Sequence, residues 1–184
     1  MDGKEGWCVW ITGLPGSGKS TIANLLSSKL TARNISSQLV SVDMLRRAIT
    51  PKPTYSEEER DTVYAALVFV ARLLTENGTN VIIDATGNRR RYRQIGREQI
   101  QKFIEVYLRC PLSLCIDREA QRKNTRLAPK EIYRKGIIGK SKTVPGINVP
   151  YEAPVCPEIT LDTNKLTAEE STERIIDILK ELYR

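Results

Sequence analysis

The 184-residue chain has no histidine at all. Its four cysteines, Cys8, Cys110, Cys115 and Cys156, fall at spacings that match no zinc pattern, and without histidine no mixed Cys/His site can be completed. Three of the four lie in or beside apolar segments, so buried reduced thiols are expected rather than disulfides. Long apolar runs are missing too: nothing approaches the roughly 18–20 residues of a membrane span. The opening MDGKEGWCVWITG lacks the basic region and small-residue cleavage site of a signal peptide, and a cytoplasmic protein is the expectation. Aromatic residues make up 6% of the chain and are scattered rather than interleaved with the basic ones, so no stacking platform for nucleic-acid bases is legible.

What is present describes a globular protein. The chain is 40% hydrophobic and 28% charged. Its length suits one domain with a sizeable core, residues 1–184, and is short for two. Lysine and arginine total 29 against 22 acids, a net charge of +7 that favours anionic partners. A small polyanion satisfies that charge as well as a nucleic acid does, and the sparse aromatics make nucleic acid the less favoured partner.

Apolar patterning alternates along the chain. Residues 7–12 (WCVWIT), 37–43, 80–85, 103–110 and 158–163 read as strands. Residues 20–33 show helical spacing at Ile22, Leu25, Leu26 and Leu30. Residues 56–78 open on an S-x-x-E capping box and close at Gly78; 89–102 and 111–119 read as helices, and 167–184 has its own T-x-x-E box. Strand–helix repetition of this kind predicts an α/β fold in three layers, a parallel sheet with helices on both faces. Residues 120–157 break the rhythm. They are rich in Lys, Arg, Gly and Pro, and a stretch that long inside a compact domain reads as a basic lid.

The strongest signal is ITGLPGSGKST, residues 11–21, which contains G-x-x-x-x-G-K-S from Gly13 to Ser20. A predicted strand precedes it and a predicted helix follows, as a phosphate-binding P-loop requires. Gly13, Leu14, Pro15, Gly16, Ser17 and Gly18 would turn backbone N–H groups around phosphate oxygens, and the helix start at Lys19, Ser20 and Thr21 adds its partial positive charge. Lys19 would reach the β- and γ-phosphates and the Ser20 hydroxyl would ligate Mg²⁺. The motif implies ATP or GTP with Mg²⁺. No NKxD run reads guanine. A short chain with a basic lid favours a small-molecule kinase, because phosphoryl transfer needs water excluded and charge neutralised.

Further stretches carry a resemblance. These are SVDMLRR (41–47), YSEEERD (55–61), FIEVYLRCPLSLCIDRE (103–119) and, most specific, IYRKGIIGKSKTVPGINVPYEAPVCPE (132–158). Together with GLPGSGKST they resemble the adenylylsulfate kinase family over nearly the whole length, a nucleoside/nucleotide-kinase-like P-loop fold. The resemblance implies transfer of phosphate from MgATP to the 3′-hydroxyl of adenylylsulfate. It makes Asp43, at the end of the second strand, a ligand of Mg²⁺ beside Ser20 or the group that orients the acceptor hydroxyl. Arg46, Tyr55, Arg60, Lys142, Gly146 and Ile147 match substrate or lid positions, with Tyr55 where the family stacks a ring on the acceptor's adenine. It leaves a homodimer open as the assembly.

The departures collect on the acceptor side. Ser41 and Met44 stand where the family has an acid and an asparagine, and Val63, Ala65 and Ala66 replace a cationic grip, extending the core face of a helix. Val144 replaces a lid phenylalanine, Gly87 a serine, and AQRKNTRLAPK (120–130) a shorter connection. Two readings stay open: an adenylylsulfate kinase that grips its substrate with other cations, or the same scaffold acting on another anionic acceptor. A second class is a nucleotide-dependent RNA-binding or regulatory protein, motivated by the net charge of +7, and a third, weaker alternative is a homologue that binds nucleotide without catalysis. VIIDATGNRRRYR (81–93) adds an acid the family pattern lacks. Asp84 would stand at the rim of the site as a second carboxylate or as a cap for the turn, and Arg89 is the candidate acceptor contact among the four arginines that follow.

Overall fold

The structure, a computed structural model, describes residues 5–122 and 129–183. Twelve elements follow in order: β1 Cys8–Gly13, α1 Lys19–Thr31, β2 Ser37–Ser41, α2 Val42–Ile49, α3 Glu57–Glu76, β3 Asn80–Asp84, α4 Arg90–Gln99, β4 Phe103–Arg109, α5 Leu112–Gln121, α6 Ile132–Ile137, β5 Ile159–Asp162 and α7 Ala168–Leu182. All four strand pairings are parallel, in the order β2-β3-β1-β4-β5.

Alternation along β1 explains the layers. Val9 and Ile11 point to one face and pack with Ile22, Leu26 and Leu30 of α1 and Ile175, Ile176 and Leu179 of α7. Cys8 and Trp10 point to the other and pack with Val63, Leu67 and Ala71 of α3 and Tyr92 of α4. Every residue of β1 is buried, which is why the strand reads as a continuous apolar run rather than an alternating one. A third, smaller cluster joins Cys115, Tyr133 and Val144 to Leu14, Leu112 and Ile147, and seats α6, in the stretch expected to be a lid, on the P-loop.

Local signals hold in most places. Thr167 and Glu170 close a reciprocal capping box at α7. At α3 the Ser56 hydroxyl accepts from the Glu59 amide at 3.2 Å, but the Glu59 carboxylate is drawn elsewhere. It accepts from the Tyr55 amide, from the Thr54 amide and hydroxyl, and from Arg46, so the expected box is only half made. The second strand ends two residues earlier than its pattern suggests, and Val42 and Asp43 open α2 instead. Cys8 and Cys115 are buried free thiols, whereas Cys156 is exposed. Most of the 120–130 segment lies outside the described residues. Among the described residues no helix is long and apolar enough to cross a membrane.

Candidate active site

The carboxyl ends of the parallel strands open into one cleft of about 1240 Å³. β1 is the central strand, so the loop that leaves it lies in the middle of that cleft. Residues 13–18 wrap from Gly13 to the αL cap Gly18, and α1 starts at Lys19. Gly16 shows why glycine is needed: its φ is +82° and an added Cβ would lie 2.3 Å from the Cys115 carbonyl oxygen. Gly16→Ala should therefore displace the loop, lowering ATP affinity at least about tenfold by calorimetry, with a measurable loss of Tm.

Lys19 is buried, and its Nζ donates to the carbonyls of Gly13 (3.0 Å) and Leu14 (2.9 Å). Burial lowers its pKa; the carboxylates of Asp84 and then Asp43 pull it back up. The Ser17 hydroxyl is buried with no protein partner, and Ser20 and Thr21 are exposed at the first turn of α1. An orphaned hydroxyl, a curled glycine loop and a helix start together fit a phosphate group. The Tyr133 hydroxyl donates to the Pro15 carbonyl at 2.8 Å, holding the lid helix against the loop.

Two carboxylates face this loop. Asp43 is the second residue of α2 and Asp84 the last of β3, and both line the cleft. Neither carboxylate makes a side-chain hydrogen bond or ion pair with a described residue. The cap of α2 is Ser41, so Asp43 does not serve as one. Burial raises the Asp43 pKa, the charge of Asp84 raises it further, and Lys19 and Arg46 oppose them. Among the described residues no group of three or more Cys, Asp or Glu could hold a metal by itself. Mg²⁺ on a nucleotide needs just one or two protein oxygens besides phosphate and water, and Ser20, Asp43 and Asp84 fit that demand.

The sheet order gives the cleft two arms. Past β5 the wall is formed by Arg118, Arg122, Thr163, Leu166, Ala168 and Ser171, with Arg118 donating to the Thr163 carbonyl at 2.8 Å. Past β2 it is formed by Arg46, Tyr55, Arg60, Tyr64, Thr143 and Val144. Arg46 is not a solvated helix residue: it is 6% exposed, ion-paired to Glu59, and lies 4.8 Å from the Tyr55 ring centroid. Tyr55 is held at φ +58°. Arg60 donates to the Asn88 side chain (2.6 Å), the Thr143 carbonyl (2.6 Å) and the Tyr55 carbonyl (3.1 Å). It ties this arm to the lid while still facing the cleft.

Several expected contacts are placed elsewhere. Arg89 is not part of the cleft wall; it pairs with Glu152 at 3.0 Å and Glu57 at 3.4 Å. Its neighbours behave alike. Arg90 donates to the Ala153 carbonyl, Arg91 pairs with Asp61, and Arg93 is fully buried against Glu105 and the Gly87 and Glu152 carbonyls. Arg89, Arg90 and Arg93 latch residues 152–153 onto the start of α4, Arg91 ties α4 to α3 through Asp61 and Glu57, and none of the four lines the cleft. Lys142, Gly146 and Ile147 are also absent from the wall. Gly146 and Ile147 pack behind Leu14 and support the loop from outside. Of the lid cations, Lys135 faces the cleft, whereas Arg134 is exposed and paired to Glu131. Val63 is fully buried as its core position requires, but Ala65 is exposed and extends no core. Sequence reasoning missed the β5 arm. Arg118 within CIDRE was its one available signal, because the other members are ordinary residues gathered by topology.

A P-loop at the centre of a two-armed cleft, with two unpartnered carboxylates beside it, defines a nucleotide-dependent phosphotransferase of the P-loop class. The family model for adenylylsulphate kinase matches residues 5–162, and the chain belongs to that family. It is 36% identical over 179 residues to an adenylyl-sulfate kinase of Microcystis aeruginosa, covering 97% of this chain and 94% of that one. It is also 36% identical over 178 residues to a probable bifunctional SAT/APS kinase 2 of Sorangium cellulosum, of which it spans 29%. A solved APS kinase of Mycobacterium tuberculosis, in complex with AMPPNP and APS, superposes with a TM-score of 0.85 at 31% identity, covering 96% of this chain and 98% of that one.

Proposed function

We propose that this chain transfers the γ-phosphoryl group of MgATP to the 3′-hydroxyl of adenylylsulfate, giving 3′-phosphoadenylylsulfate and ADP. One observation carries the reading: the P-loop lies midway between two arms of a single cleft, which supports a donor and an acceptor meeting over Lys19. The β5 arm takes the ATP base and the β2 arm the acceptor, with the Tyr55 ring for its adenine. The new bond joins the ribose oxygen to phosphorus, the β–γ bridge breaks, and Asp43 receives the hydroxyl proton. P-loop amides and Lys19 hold the non-bridging oxygens. Mg²⁺, when bound, would be held by the Ser20 hydroxyl and a cleft carboxylate and would neutralise phosphate charge.

Labelled ATP with adenylylsulfate, run against other nucleotide-diphosphate-like acceptors, tests this directly. Tyr55→Ala should raise the KM for adenylylsulfate about tenfold, the worth of one base stack, with the KM for ATP within about twofold. Failure of adenylylsulfate as acceptor, with another compound turned over, favours the second reading of the scaffold. That reading is motivated by the β2 arm, where Glu59 already neutralises Arg46, and by Val63, Ala65 and Ala66 of α3, which carry no charge and do not line the cleft.

A further inference from the structure

Asp84 has a placement of its own. β3 lies directly beside the P-loop strand, and Asp84 stands in register with Ile11, two residues before Gly13. The three residues before it, Val81, Ile82 and Ile83, are fully buried, so the backbone at the strand end is fixed from both faces and presents Asp84 to the cleft. Asp84 is 9% exposed and lines the cleft, and its carboxylate has no hydrogen bond or ion pair to any described residue. The Lys19 ammonium is turned to the Gly13 and Leu14 carbonyls instead. Asp84 acts on Lys19 through its charge without bonding it, which leaves its oxygens open to a cation in the cleft.

The position is also the chemically apt one. In P-loop NTPases an acid closing an apolar strand would supply, together with the hydroxyl at the helix start, the protein oxygens for Mg²⁺. Asp84 meets that description and Asp43, on a helix one strand further out, does not. On its other side Asp84 pairs in register with Ser41 of β2, the very position where the resembled pattern has an acid. The missing acid has its counterpart across one strand, nearer the P-loop.

We propose that Asp84 is the Mg²⁺-side carboxylate of this chain, acting with Ser20, and that Asp43 is thereby left to the acceptor hydroxyl. This rests on the kinase reading for the donor nucleotide but not on the identity of the acceptor. The test compares ADP affinity with and without Mn²⁺, by calorimetry and by Mn²⁺ EPR, for wild type, Asp84→Asn, Asp84→Ser and Asp43→Asn, each checked for a cooperative melt. The tightening of ADP binding by Mn²⁺ should shrink about tenfold or more in both Asp84 variants. ADP binding in EDTA should be unchanged or tighter, since a negative charge has gone. Asp43→Asn should keep the Mn²⁺ effect within about threefold. Either folded Asp84 variant that keeps the full Mn²⁺ effect overturns the proposal, as does loss of that effect in Asp43→Asn alone. No acceptor enters the measurement, so an acceptor other than adenylylsulfate would leave its outcome untouched.

Discussion

Lys19→Ala should lower the kcat of ATP-dependent phosphorylation by about 10³-fold or more, measured with saturating nucleotide. The magnitude follows from where the charge sits. The ammonium is held by two P-loop carbonyls, those of Gly13 and Leu14, and is buried. A phosphate entering the loop offers a full negative charge in place of two dipoles, and in a low-dielectric cleft that exchange is strongly favourable. The γ-phosphoryl carries most of its charge on non-bridging oxygens as it transfers, so the ammonium acts where charge is greatest. Lys19 also staples the loop, and ATP affinity should fall as well, though by less than kcat. Turnover unchanged in Lys19→Ala would remove the P-loop from the chemistry altogether.

The contrast between what the residues announce and what only the fold reveals runs along the sheet. The P-loop was legible because its chemistry is local: backbone amides, one lysine and one hydroxyl sit within eight consecutive positions. The layers were legible because β1 and the helices beside it carry clean periodicities. Arg89 and its neighbours were not legible. A basic cluster looks the same whether its partners are ligand oxygens or the Glu152, Ala153 and Gly87 groups that come from about 60 residues away or from the preceding turn. Arg46 was obscure for a similar reason, since its partner Glu59 reads as half of a capping box and is diverted by burial beside a guanidinium. The β5 arm was hidden because Thr163, Leu166 and Ser171 have no local signature, and only the strand order 2-3-1-4-5 brings them opposite Arg118.

Asp43→Asn should lower kcat by about 10²–10⁴-fold while leaving the binding of MgATP within about threefold of wild type. The carboxylate stands at the start of α2 with no backbone amide to cap and no cation within ion-pair distance among the described residues. It is therefore free to accept a hydrogen bond from an incoming hydroxyl. Burial and the neighbouring Asp84 raise its pKa, which makes it a better proton acceptor than an exposed carboxylate, although Lys19 and Arg46 limit the rise. Asparagine keeps the size and can still orient the hydroxyl but cannot take its proton, so the loss should fall on kcat rather than on the KM for the acceptor. The split between kcat and nucleotide binding is what separates the two acids. Asp43→Asn should damage turnover with the metal still held, whereas Asp84→Asn should damage metal binding first and turnover as its consequence. Equal losses of turnover and MgATP binding in Asp43→Asn would place Asp43 on the metal and return Asp84 to the end of a strand.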